Sequence, residues 1–296
     1  MNDFYKIDIM IVGAQKAGTT SLKSYLSQHP KIDTHKQTEM IYFLDDKTYS
    51  LGYEKSFHRY FPDRESQNKL LAKNVGVMYY RPAMERLYDH NPKMQLVIVL
   101  RNPVDRAYSA YWFARRRGQE DLKTFEEAIE ASPDRYKNKG IFRMGNCSYL
   151  DRSLYVKHLE MIFTIFPRSQ VHIFLTDDMK QDIDGVYNQI FASLDLEQNV
   201  SLDTKQQHNR ASAARSELLA RLLGRKSFLK RTFRKIMSDK PADKIKDFLN
   251  RFNEREIEIP TIAPETAMRL TAYFEPYNEK LGKLLGRDLS HWNKTF

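Results

Sequence analysis

Cysteine is almost absent: Cys147 is the one thiol in 296 residues. A lone cysteine excludes an intrachain disulfide and a cysteine-based zinc site, and it suits a reducing compartment. No apolar run is long enough to span a bilayer. The opening MNDFYKIDIMIVG holds too short a hydrophobic stretch for a signal peptide, so a cytoplasmic protein is expected. Acidic side chains are also scarce, 38 against 48 Lys and Arg, which leaves a net charge of +10. That excess is uneven, with 15 Lys/Arg and 8 Asp/Glu between residues 201 and 258. Such a balance suits an anionic ligand, an acidic acceptor or a membrane surface, and equally a solvated helical face. The eight histidines show no metal-ligand spacing. His29, His35 and His208 read as surface or loop residues, Cys147 as a packed thiol, and no metal is expected. Repeats, low-complexity tracts and clear linkers are missing, so residues 1–296 are expected to form one domain.

The chain is long enough for a sizeable core, and its periodicity is that of an α/β protein. Ile9–Val12 reads as a strand, Ile32–Thr34 and Leu70–Lys73 as short strands, and Gln95–Leu100 (QLVIVL) as a buried parallel strand. Helices are expected at Leu51–Phe61, Pro82–Asn91, from Pro103 onward, at Leu150–Phe166 as one long amphipathic helix, and at Val186–Leu194. Val171–Leu175 is a further strand. Beyond Ser201 strand signals fade and helices dominate, ending in Pro264–Leu285. The expected fold is P-loop-like: a central, mostly parallel sheet flanked by helices, with a helical C-terminal third.

Ile11–Leu22, IVGAQKAGTTSL, is the most informative stretch. A strand ends in Gly13, and after Gly18-Thr19-Thr20 a helical pattern begins. A glycine-bounded loop before a helix gathers backbone N–H groups and the positive end of the helix dipole at one spot, which suits a phosphate. The pattern nearly matches G-x-x-x-x-G-K-[ST]. Thr19, however, stands where the lysine belongs, and the lysine lies inside the loop at Lys16. From there its ammonium can reach the bridging oxygen of a 5′-phosphate ligand rather than lie along a triphosphate tail. The hydroxyls of Thr19, Thr20 and Ser21 add donors.

A second anchor follows the strand QLVIVL. Arg101 stands at its end, and Ser109 lies eight positions on in RNPVDRAYSAYW. Open parallel sheets bind ligands at their carboxyl edge, and arginine matches a phosphate bidentately. Two phosphate sites are therefore implied, and a nucleotide phosphorylated on both its 5′ and 3′ sides would fill both.

With both anchors in order, the sequence resembles the sulfotransferases that use 3′-phosphoadenosine-5′-phosphosulfate (PAPS). IVGAQKAGTTSL is similar to their 5′-phosphosulfate loop and LRNPVDRAYSAY to their 3′-phosphate motif. The resemblance is nearest to the branch of bacterial enzymes and heparan sulfate sulfotransferase domains; YFPD (60–63) and LLGRDLSHW (284–292) also look like that branch. It implies a donor site of Gln15, Lys16, Ala17, Gly18, Thr19, Thr20 and Ser21, with Arg101 and Ser109 on the 3′-phosphate. It further implies catalytic roles for Lys16, for Glu39 as the base ahead of Met40-Ile41-Tyr42-Phe43, and for Lys73 beside the active site. After Lys73 the family continues with Ser/Thr, Pro/Ala and an aromatic residue, whereas this chain reads Asn74-Val75-Gly76-Val77, a departure on the acceptor side. In place of a lysine–glycine-rich closing loop stands HNRASAARS (208–216), so Arg210 or Arg215 would cover the donor.

The implied reaction is in-line sulfuryl transfer from PAPS, with no metal required, to a hydroxyl or amine of a small-molecule or glycan acceptor. No nucleic acid and no transmembrane segment is expected, and a homodimer is compatible with the sequence. The segments 136–148 and 225–235 (RKSFLKRTFRK) are expected to wall the acceptor cleft or face a partner. Two other classes share parts of the pattern. A P-loop kinase would want lysine at position 19 and a magnesium-binding carboxylate. A non-enzymatic polyanion-binding protein would explain the basic C-terminal third without needing two nucleotide anchors.

Overall fold

The computed structural model describes residues 6–62, 64, 67–132, 147–204, 212–214, 254–256 and 259–294. Five parallel strands form the main sheet: β1 (Ile9–Gly13), β2 (Ile32–Thr34), β3 (Lys69–Lys73), β4 (Gln95–Leu100) and β5 (Val171–Leu175), in the order β2-β3-β1-β4-β5. Every residue of β1 is buried, as are Leu96–Leu100 of β4. That is why both read as unbroken apolar runs: strands inside a parallel sheet are covered on both faces. The chain leaves β1 toward β3 and β2 on one side, and β4 toward β5 on the other. The carboxyl ends of β1 and β4 therefore flank the topological switch point, where such sheets open a crevice for ligands.

The described helices are α1 (Thr19–Leu26), α2 (Asp46–Ser50), α3 (Tyr53–Tyr60), α4 (Arg81–His90), α5 (Pro103–Arg116), α6 (Phe125–Glu130), α7 (Tyr155–Phe163), α8 (Thr176–Gln181), α9 (Ile183–Ala192) and α10 (Pro264–Leu285). On α1 the buried Leu22, Tyr25 and Leu26 keep the three-and-four spacing that marks one helical face. Proline opens α5 at its first turn, where its missing N–H costs no helical bond.

Contacts divide the chain into two compact units: Met1–Asn102, Leu154–His208 and Tyr277–Leu289 in one; Pro103–Ser153, Asn209–Pro276 and Ser290–Phe296 in the other. The first contains the whole sheet. At its end, Asp178 of α8 accepts two 2.6 Å bonds from Arg287 and one of 2.8 Å from the Leu175 N–H. Burial alone would raise the Asp178 carboxyl, but these donors outweigh it and hold the group below the usual carboxylate range.

The second unit is organised around α5. Arg106 is fully buried, its Nε 2.6 Å from Ser153 Oγ and its Nη2 on the Tyr149 carbonyl. α6 begins with a reciprocal cap between Thr124 and Glu127. Cys147 is buried against the Gln119 carbonyl.

Two expectations need correction. Leu150–Phe166 is not one helix: a 3-10 turn at Asp151–Ser153 precedes α7. Ser153 Oγ is drawn to the Pro103 carbonyl at 3.0 Å and accepts from Arg106, and Leu154 at φ −81°, ψ 65° breaks the helical path. The region after Ser201 also carries strand: Ser212–Ala214 (β6) pairs antiparallel with Glu254–Glu256 (β7). Three-residue strands 40 residues apart carry no alternation to read, because their stability comes from the partner rather than from local pattern.

Candidate active site

The loop between β1 and α1 is shaped by contacts that leave little freedom. A Cβ at Gly13 would lie 1.9 Å from Met78 Sδ, so any side chain there would have to displace the buried Met78. The Ala14 N–H donates to Val99 of β4 at 2.8 Å and the Ala17 N–H turns back to Ala14 at 3.2 Å. Gln15 is buried, and its N–H lies 3.4 Å from Tyr79 Oη. Lys16 (φ 71°) and Gly18 (φ 82°) both take the left-handed conformation. For glycine that is free of strain. For lysine it costs on the order of 1–2 kcal/mol.

This path presents donors at the start of α1. The N–H groups of Gly18, Thr19 and Thr20 have no hydrogen-bond partner among the described residues, no side chain caps the helix, and its first turn carries no acid. Three convergent donors at the positive end of a helix dipole make an anion cradle. Beside it, Arg101 follows β4 with Nη1 3.4 Å from the Lys16 carbonyl, and Tyr155 Oη donates to the Arg101 carbonyl at 2.9 Å. Ser109 is half-buried in the second turn of α5, in the other unit.

Glu39 and Lys73 come together. Lys73, 1% exposed at the end of β3, pairs its Nζ with Glu39 Oε1 and donates to the Thr38 carbonyl at 3.1 Å. Glu39 Oε2 accepts the Val75 N–H at 3.1 Å. The carboxylate is thus held by both oxygens, while its side chain stays 30% exposed. A carboxylate has about four lone-pair positions, so a face remains for a substrate proton. The Asn74 side chain donates to the Met40 carbonyl at 2.9 Å and accepts the Gly76 N–H at 2.8 Å, bracing the same segment.

Behind this pair lies a cluster that periodicity did not reveal. Lys23 of α1 is buried, and its Nζ donates to the carbonyls of His35 and Gln37, the latter at 2.9 Å. His35 Nε2 accepts the Lys73 backbone N–H at 3.1 Å, and its Nδ1 lies 3.4 Å from Lys23 Nζ. Burial and the neighbouring Lys23 ammonium press the His35 pKa down to about 3, and burial with Lys73 lowers Lys23 to about 8. The reading of His29 and His35 as surface or loop residues is corrected in part: both lie outside helices and strands, yet they are 2% and 1% exposed. A lysine on the apolar side of α1, one residue after Leu22, was the available signal. Tyr79 and Tyr155 offered none.

His35 carries a pH prediction. The unfolded chain takes up its proton near pH 6.5 and the native imidazole near pH 3, so between these values the unfolded state binds more protons and stability falls as pH falls. Urea unfolding of wild type and His35→Gln should show the wild type losing ground to the variant across that window, by at most about 1.4 kcal/mol per pH unit. Parallel curves would remove the neutral buried imidazole.

Arg210, Arg215 and His208, the stretch 225–235 and most of 136–148 lie outside the described residues. Among the described residues no group of His, Cys, Asp and Glu could hold a metal ion, and no helix is long and apolar enough to cross a membrane.

Residues 6–255 match the family model described as "Sulfotransferase domain". The chain belongs to the sulfotransferase family. A mouse (Mus musculus) heparan sulfate glucosamine 3-O-sulfotransferase 5 is 28% identical over 166 residues, 55% of this sulfotransferase and 46% of that protein. The membrane-associated sulfotransferase kil1 of Dictyostelium discoideum is 31% identical over 136 residues, 43% of this chain and 28% of that one. The chain thus spans less than half the length of these relatives. A sulfotransferase from Alicyclobacillus acidocaldarius shares the fold at TM-score 0.69 and 24% identity, covering 98% of this chain and 99% of its own. The P-loop-like α/β expectation is borne out.

Proposed function

We propose that residues 1–296 act as one catalytic domain that moves a sulfuryl group from PAPS to a hydroxyl, or an amine, of a small-molecule natural product or glycan. The observation that carries this reading is the cradle of three N–H groups on Gly18, Thr19 and Thr20 that have no partner among the described residues, with Lys16 inside the loop and threonine at position 19. In the proposed step the acceptor oxygen attacks sulfur in line with the bridging oxygen. The new S–O bond forms as the bridging S–O bond breaks. Adenosine 3′,5′-bisphosphate leaves, and the acceptor proton passes to Glu39. Lys16 and the cradle meet the charge that grows on the leaving phosphate, the role that preorganised donors serve in most transfer chemistry. Lys73 keeps Glu39 oriented.

Gln15, Ala17 and Ser21 complete the loop around the 5′ group. Arg101 and Ser109 are assigned to the 3′-phosphate on their order and spacing in the sequence, and Arg210 or Arg215 to closing over the donor on the place of 208–216 in the family resemblance. A glycan acceptor draws support from the heparan sulfate enzyme among the relatives.

Calorimetric titration tests the donor. Adenosine 3′,5′-bisphosphate should bind at least about tenfold more tightly than ATP, since a charged hydrogen-bonded contact is worth about 1.5–3 kcal/mol. Equal affinities would overturn the roles of Arg101 and Ser109. A transfer screen with sulfur-labelled PAPS across sugars, lipids and small hydroxylated metabolites identifies the acceptor, and transfer confined to tyrosine peptides would refute the acceptor class.

A further inference from the structure

The segment carrying Glu39 leaves the edge of the sheet and must be held by something other than strand pairing. β2 ends at Thr34, opposite Leu71, so the next N–H that β3 turns to that side, on Lys73, has no strand partner. The His35 imidazole takes that place, and the Met40 N–H returns to the Lys73 carbonyl at 2.8 Å. From His35 to Glu39 the chain runs off the sheet, and its carbonyls need donors. Lys73 supplies one to Thr38. Those of His35 and Gln37 are met by Lys23, which belongs to neither strand. It projects from α1, one helical turn after the Thr19 and Thr20 N–H groups that form the anion cradle.

A leucine at position 23 would continue the apolar face of α1 without removing an ammonium from water, a transfer that is costly unless the charge is well bonded. The charge is kept where it ties two functional segments together. We propose that Lys23 is a positioning residue that locks the Glu39 loop to the donor-binding helix, so that base and leaving group are set by one rigid element. The proposal rests on the reading of Glu39 as base and of the β1–α1 loop as donor site. Its physical basis is that in-line transfer tolerates little displacement: a shift of about 1 Å can cost about 10²-fold in rate.

Hydrogen exchange by mass spectrometry on the full chain tests it without an acceptor, using adenosine 3′,5′-bisphosphate as the probe. In Lys23→Met, peptides covering 35–41 should exchange about tenfold faster or more, a local opening, while those covering β1 and β4 keep wild-type protection. Saturating nucleotide should protect both 13–22 and 35–41 in the wild type. In the variant it should protect 13–22 and no longer 35–41. A purely structural role would speed exchange without uncoupling the loop from the ligand. Lys23→Gln, which keeps a neutral donor, should fall between the two and replaces Lys23→Met if that variant does not fold. Wild-type exchange at 35–41 in both variants, or undiminished ligand protection there, would overturn the proposal. If nucleotide fails to protect 13–22 in the wild type, the donor reading fails instead, and the ligand-free comparison still judges Lys23.

Discussion

Glu39→Gln should lower turnover by about 10²–10⁴-fold, the range for loss of a general base, while adenosine 3′,5′-bisphosphate binds within a few-fold of wild type. The reasoning is steric as well as chemical. Glutamine fills the space of glutamate, and its amide oxygen can still accept from Lys73 Nζ or from the Val75 N–H. What the amide lacks is a basic oxygen for the acceptor proton. It also leaves the Lys73 ammonium, 1% exposed, without its counter-charge. The variant should therefore melt at a lower temperature, because uncompensating a buried charge is destabilising. Steady-state kinetics with the acceptor found in the labelled screen, together with calorimetry and a melt, separate the two effects. Activity within a few-fold of wild type would move the base elsewhere.

Lys16→Ala should weaken nucleotide binding and lower kcat by about 10²–10³-fold, as when one preorganised donor is removed from a developing oxyanion. The backbone makes this a clean substitution. Lys16 holds φ at 71°, and alanine carries the same Cβ, so the left-handed strain is the same in both. The loop should keep its shape, anchored by the Ala14 bond to Val99 and the Ala17 bond to Ala14. The loss then reports the ammonium alone. Because Lys16 is proposed to meet both the bound phosphate and the charge that grows on it, kcat/KM should fall further than kcat. Unchanged nucleotide affinity with intact turnover would point the Lys16 side chain away from the phosphate.

The β1–α1 loop was open to a sequence reading because its determinants are local. Gly13, Lys16, Gly18 and the start of α1 lie within a dozen residues, and each has a backbone or charge requirement that its residue type announces. QLVIVL and the proline after it were legible for the same reason, since a central strand and a helix N-terminus mark themselves by burial and by φ. The break at Leu154 was not legible: the apolar spacing of 150–166 continues through it, and the interruption comes from Ser153 being claimed by Pro103 and Arg106 some 50 residues away. His35 was misjudged on a similar ground. A histidine in a polar stretch reads as exposed, and only the early end of β2 turns its imidazole inward onto the Lys73 N–H.

Sequence by itself determined the fold class, the parallel sheet and the glycine-bounded loop with its displaced lysine, and the family resemblance singled out Glu39 and Lys73. Tertiary structure decided how Glu39 is held: between Lys73 and Val75, on a loop tied through His35 to β3 and through Lys23 to α1. The division has one physical cause. Strands, helix starts and glycine turns are set by interactions among near neighbours in the chain. The partners of a buried charge are instead chosen by whichever distant carbonyls and carboxylates the packed sheet edge leaves unsatisfied.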